Sequence, residues 1–191
     1  LAVLLAMILC VGLAPTAAFA VDIQEGLPVF TVDSSAATTV GFGGKQWVVV
    51  GYDGVGTTTP SNTLTLLLKN GQGNPYGNTM FHATSNEYST STLKIRMDAA
   101  YGNLSTKEQA LVMGRDLPGG GGGGNNRDPD KVAGAAVPGA KFWPLSVNEA
   151  NAVNVSLRSF GGLWWLRSPG YNDNLEMYED TELLDEVVVV G

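Results

Sequence analysis

The sequence carries one cysteine and one histidine in 191 residues. That scarcity removes whole classes of chemistry. Zinc sites and Cys-His nucleophilic pairs need several such side chains at set spacings. His82 stands alone in "MFHATSN", and no G-x-S-x-G elbow marks a nucleophilic serine. His82 is therefore read as a structural or surface residue. Positive charge is also scarce. The formal net charge is −7, with 11 Lys and Arg against 18 Asp and Glu. A nucleic-acid binder needs a basic footprint to displace counterions from phosphates, and none is visible. An anionic membrane surface is an equally poor partner.

Charge is absent altogether from the first twenty residues, "LAVLLAMILCVGLAPTAAFA". They read as a secretory signal peptide, residues 1–20, ending in the small-x-small pattern Ala18-Phe19-Ala20. A transmembrane anchor is the alternative, but Gly12 and Pro15 interrupt a run already short for a span. The stretch lacks an initiator Met and a basic leader, so its start is read as clipped. Cys10 falls inside it, and the remaining chain, residues 21–191, would contain no disulfide. It would rest on its core alone. The expected location is secreted or on the cell surface, with no membrane insertion after cleavage.

Hydrophobic residues make up 44% of the chain, enough for one domain to bury a core. "PVFTV", "KQWVVVGYDG" and "NTLTLLLKNG" read as strands, the last two as an antiparallel pair with a long connection. Leu93, Met97 and Tyr101 fall four apart, the spacing of one helical face, with Ser89 or Ser91 as cap. Ser105 with Glu108, and Ser146 with Glu149, sit at capping-box spacing and predict two further short helices. The first is expected to end at Gly114; the second is expected from Val147 to Val153, with Leu145 and Ala150 as a hydrophobic staple. Six glycines, Gly119–Gly124, read as a flexible surface loop, since glycine loses most entropy on ordering. A phosphate-cradling loop would need Lys-Ser/Thr behind the glycines, whereas "NNRDPD" follows. "DEVVVVG" reads as a closing strand. Its exposed apolar edge suggests chain missing beyond Gly191. Strands and helices segregate rather than alternate, so the class is α+β.

The blocks "FWPLSVNEA" and "WWLRSPG" carry a resemblance. With Trp47-Val48-Val49, and with Asn86, Tyr88, Ser91 and Leu93, they are similar to a family of secreted bacterial domains of unknown function. The Trp165-to-Gly170 block is its most specific part. More remotely the pattern resembles the C-type-lectin-like fold of formylglycine-generating enzymes and of phage and bacterial variable receptors. The resemblance implies a C-type-lectin-like α+β domain with two or three short helices and long glycine-rich loops. It implies extracellular recognition. Formylglycine generation relies on active-site cysteines, which this chain lacks, so that activity does not carry over.

Within this frame, Trp47, Trp143, Trp164 and Trp165 are read as core residues. Adjacent tryptophans on a strand point to opposite faces, so one can be buried while the other packs under a loop or stacks on a sugar. Arg167 is read as structural, bonded to backbone carbonyls or paired with a carboxylate such as Glu149. The stretch after it holds Tyr171, Asn172, Asp173, Asn174, Glu176 and Tyr178, residue types common in binding loops. They are the candidate ligand-binding residues for an extracellular glycan or protein. The acids of this tail make calcium a minor possibility, with Asp128 and Asp130 as weak partners; otherwise no cofactor is expected. The leading reading is a non-enzymatic binding or adhesion domain. The alternatives are a carbohydrate-active hydrolase using two carboxylates and a purely structural module of a larger surface protein.

Overall fold

The structure is a computed structural model. It describes residues 30–69, 81–82, 84–122, 128–158, 165–169 and the backbone of 186–190. The fold is α+β, with antiparallel strands and a few short helices. β1 (Thr39–Phe42), β2 (Lys45–Gly51), β3 (Leu64–Leu68), β6 (Phe142–Pro144) and β7 (Glu186–Val190) form one sheet. Its strand order is β1-β2-β3-β7-β6, and every pairing is antiparallel. β4 (Arg115–Leu117) and β5 (Val137–Ala140) form a second, two-stranded sheet. Only Lys141 separates β5 from β6, so one stretch of chain serves both sheets.

Gly43-Gly44 connects β1 to β2, with Phe42 opposite Lys45. Both glycines have positive φ, 58° and 70°, the requirement of a two-residue turn matched to strand twist. The strand pattern alone does not reveal this hairpin, although the Gly-Gly pair before "KQWVVV" is its signal. The segment read as the strand "PVFTV" has no strand in its described part. Instead, the Phe30 N–H donates to Tyr52 Oη at 2.8 Å, and the Thr38 N–H donates to Thr31 O.

The middle of the sheet is covered on both faces. β3 is buried at all five positions, and β2 from Trp47 to Gly51. Successive side chains point to opposite faces, so an apolar run rather than an alternating one is what this location requires. Thr65 is the polar exception; its Oγ1 accepts from the Gly54 N–H at 2.8 Å. Trp47 packs edge-on against Phe42 and Phe142, and Phe142 against Tyr101, at centroid distances of 5.8–6.5 Å. Trp47 Nε1 donates to Phe42 O. Trp47 and Trp143 are fully buried. Trp165 is partly buried and meets Phe81 edge-on at 5.8 Å. Trp164 lies outside the described residues, as do residues 1–29.

α1 (Thr92–Gly102) starts at Ser91, whose side chain accepts from the Lys94 N–H, and buries Leu93, Met97 and Ala100. A single 3-10 turn, Tyr88–Thr90, precedes it. α2 (Thr106–Leu111) and α3 (Val147–Ala152) each begin with a complete capping box. α2 ends at Val112, before Gly114. α4 (Val155–Arg158) adds one turn that the sequence pattern does not reveal. Among the described residues no helix is long and apolar enough to cross a membrane.

The start of the glycine run is not a free loop. Gly120 and Gly121 donate to Gly134 O and Val132 O, and Val132 donates back to Pro118 O. This continues the path of β4 alongside the chain that leads into β5. A Cβ on Gly119 would sit 2.3 Å from Ala136 N. These glycines allow two backbones to meet, which composition alone does not distinguish from looseness.

Gly51 offers a direct test of the tight turn that follows β2. A Cβ there would fall 1.9 Å from Gly54 O. Gly51→Ala should cost about 1–3 kcal/mol through forced backbone movement. Gly102→Ala, with open space around it, should be neutral or slightly stabilising. Urea midpoints measure both, and equal midpoints would contradict the register described here.

Candidate functional site

The stretch 165–169 is positioned by a polar cluster built around the N-terminus of α3. Ser146 and Glu149 satisfy each other's backbone groups. Ser146 Oγ accepts from the Glu149 N–H at 3.1 Å, and Glu149 Oε2 accepts from the Ser146 N–H at 3.0 Å. The box also aims the Glu149 carboxylate inward, where it is 9% exposed. A buried carboxylate requires a partner. Arg167, 2% exposed, supplies one, with Nη1 donating to Glu149 Oε2. The same Nη1 donates to Pro144 O at 3.0 Å, and the Arg167 N–H donates to Leu145 O at 3.0 Å. Arg167 therefore holds both a carbonyl and a carboxylate.

A second cation completes the cluster. Arg115 Nη1 on β4 lies 2.6 Å from Glu149 Oε1, and its guanidinium stands 5.4 Å over the Trp143 ring. Burial pushes the Glu149 carboxyl upward and is the largest single influence on it. The hydrogen bond and charge of Arg167, the charge of Arg115 and the Ser146 N–H together outweigh burial. The carboxyl is held below its ordinary value.

Ser168 and Pro169 extend the anchor. Ser168 Oγ accepts from the Val147 N–H at 2.9 Å and donates to Pro129 O. Pro169 is buried, and a Cβ on Gly121 would come within 3.1 Å of its Cγ. Asp130 ties the adjoining loop to the same helix. Its two carboxylate oxygens accept from Ser146 Oγ at 2.9 Å and Asn148 Nδ2 at 2.8 Å. Four separate pieces of chain thus meet at the start of α3: β4, the 128–132 loop, the helix and the 165–169 segment.

The sequence-designated binding residues Tyr171, Asn172, Asp173, Asn174, Glu176 and Tyr178 lie outside the described residues. Asp128 and Asp130, the weak calcium candidates, are both occupied within the protein. Asp128 accepts from the Asp130 N–H and pairs with Lys131 at 3.0 Å. The Asp130 N–H, followed by Lys131, holds the Asp128 carboxyl below its ordinary value. Among the described residues, no three His, Cys, Asp or Glu side chains gather closely enough to hold a metal ion. His82 Nδ1 accepts from the Thr84 N–H at 3.0 Å, a local turn contact.

Arg115 and Asp130 are the members of the cluster whose role the sequence does not show. Their partners are distant in the chain, and neither belongs to a capping or turn pattern that includes Glu149.

Compared with protein-family models, with curated proteins and with solved structures, the chain matches none.

Two outcomes test the cluster. Arg167→Ala should cost about 3–5 kcal/mol, because it leaves a buried carboxylate short of a partner, whereas replacing Arg167 and Glu149 together with Leu should cost less. Chemical denaturation of the two variants measures the difference. Because the folded-state value of Glu149 lies below the unfolded value near 4.5, its contribution is present above pH 4.5. It is lost as pH falls through the folded value. Glu149→Gln should therefore lower stability at neutral pH and reduce its decline below pH 4.5. An unchanged acid limb would show that Glu149 is not the group concerned.

Proposed function

We propose that this chain is a secreted or surface-exposed, non-enzymatic binding or adhesion domain of C-type-lectin-like architecture. It recognises a glycan or protein through the stretch from Tyr171 to Tyr178. The observation that carries the reading is the anchor immediately before that stretch. Arg167, Ser168 and Pro169 are held by a carbonyl, a carboxylate, a helix N-terminus and a neighbouring backbone. After the stretch, the chain re-enters the sheet as β7. A segment tethered at both ends to a rigid scaffold is the arrangement that binding loops use.

The composition of the stretch supports the same reading. Tyr171 and Tyr178 supply contact area at low entropy cost, and Asn172 and Asn174 supply adaptable hydrogen bonds. Asp173 and Glu176 would favour ligands that present hydroxyls or cationic groups. The uncharged, apolar first twenty residues support export. The antiparallel α+β layout and the Trp-Leu-Arg-Ser-Pro-Gly block support the lectin-like assignment.

Glycan-array and calcium-titration measurements on the chain test this function. Saturable binding is expected, weakened at least tenfold by Tyr171→Ala or Tyr178→Ala with the unfolding midpoint unchanged. Loss of folding in those variants would contradict the division between anchor and display surface. Absence of binding from a well-folded sample, with or without calcium, would favour a structural module.

A further inference from the structure

Arg167 and Ser168 are neighbours in the chain, yet contacts of different kinds hold them. Arg167 is buried, and so is the Glu149 carboxylate that it meets. Ser168 is held by a short strap, residues 128–131, docked on the start of α3. Pro129 O accepts from Ser168 Oγ. Asp130 is exposed and accepts from Ser146 Oγ at 2.9 Å and from Asn148 Nδ2 at 2.8 Å. Within the strap, the Asp130 N–H donates to Asp128 Oδ1 at 3.1 Å and the Lys131 N–H to Asp128 O at 3.3 Å. The strap is tied to the small sheet at both ends. The Asp128 N–H donates to Gly121 O, and the N–H of buried Val132 donates to Pro118 O.

Water reaches the strap and competes for its contacts. Asn148 is exposed, and in the ion pair between Lys131 and Asp128 the side chains are 41% and 40% exposed. Contacts of this kind add little to stability, whereas parting Arg167 from Glu149 leaves a buried charge without its partner. Local opening takes the route of lower free energy. We propose that the strap is a latch on Ser168, which opens while Arg167 stays bound to Glu149. Closed, the latch fixes the chain through Ser168. Open, it leaves Ser168 without its acceptor and loosens the bond from the Val147 N–H, so that Arg167 is the last firmly held residue. Asp130 is a positioning residue: it acts on Ser168 by docking the strap. A ligand that engages the chain beyond Pro169 would favour one of the two states and shift their balance. That consequence rests on the recognition reading above; the latch itself does not.

Amide hydrogen exchange on the unsubstituted chain and on Asp130→Ala tests the latch. In the unsubstituted chain, the amides of Asp130, Lys131 and Val147 should be less protected than that of Arg167. In the variant, their protection should fall about tenfold further, with Arg167, bonded to Leu145 O, and Val49 in the sheet unchanged. Asp130→Asn keeps an oxygen that can accept from Ser146 Oγ and should restore most of the protection. Unaltered exchange at Val147, or equal acceleration at Arg167, would overturn the proposal. If Asp130→Ala fails to fold, the unsubstituted chain decides: Arg167 no better protected than Asp130 and Lys131 also overturns it. No ligand enters this measurement, so its outcome is separate from that of the binding experiment.

Discussion

Arg167 carries a permanent charge and is almost wholly removed from water. A guanidinium in that position needs acceptors, and two of them, Pro144 O and the Glu149 carboxylate, converge on its Nη1. Glu149 is aimed at it by a capping box, so the residue that starts α3 also neutralises the charge. Pro144 and Leu145 offer their carbonyls because β6 delivers them there. Arg115 meets the remaining oxygen of Glu149 and lies over Trp143, which ties the small sheet to the large one. Removing the arginine would disturb a helix start, a strand end and a second cation together.

This arrangement separates two tasks. The apolar middle of the sheet, from Trp47 to Val50 and from Leu64 to Leu68, supplies cohesion, which is insensitive to direction. The polar cluster contributes position. Hydrogen bonds and ion pairs have preferred geometry, so the segment from 165 to 169 is held at a defined place. The recognition surface proposed for this chain would need that second property more than the first, because ordering a loop on binding lowers affinity.

Much of this organisation is legible in the sequence wherever its causes are local. The two S-x-x-E boxes mark the starts of α2 and α3, and Ser91 marks that of α1. The apolar runs mark β2 and β3. The pairing of Arg167 with Glu149 is also accessible, because a lone arginine beside a Ser-Pro-Gly turn needs a buried carboxylate and the box presents one. What escapes depends on tertiary context. The order of glycines from Gly119 to Gly121 comes from the backbone of 132–136, which composition does not encode. Arg115 and Asp130 join the cluster only because distant segments meet there. The apolar "VVVV" run suggests an exposed edge; its inner position between β3 and β6 supplies another reason for the run.

The central claim is that the Glu149–Arg167 pair holds the 165–169 segment locally instead of adding general stability. Amide hydrogen exchange on the unsubstituted chain and on Glu149→Gln tests this most directly. The amides of Arg167 and Val147, bonded to Leu145 O and Ser168 Oγ, should exchange at least tenfold faster in the variant. Those of Val48 and Leu66, in the sheet, should change far less. Equal acceleration at all four sites, or none at Arg167 and Val147, would contradict it.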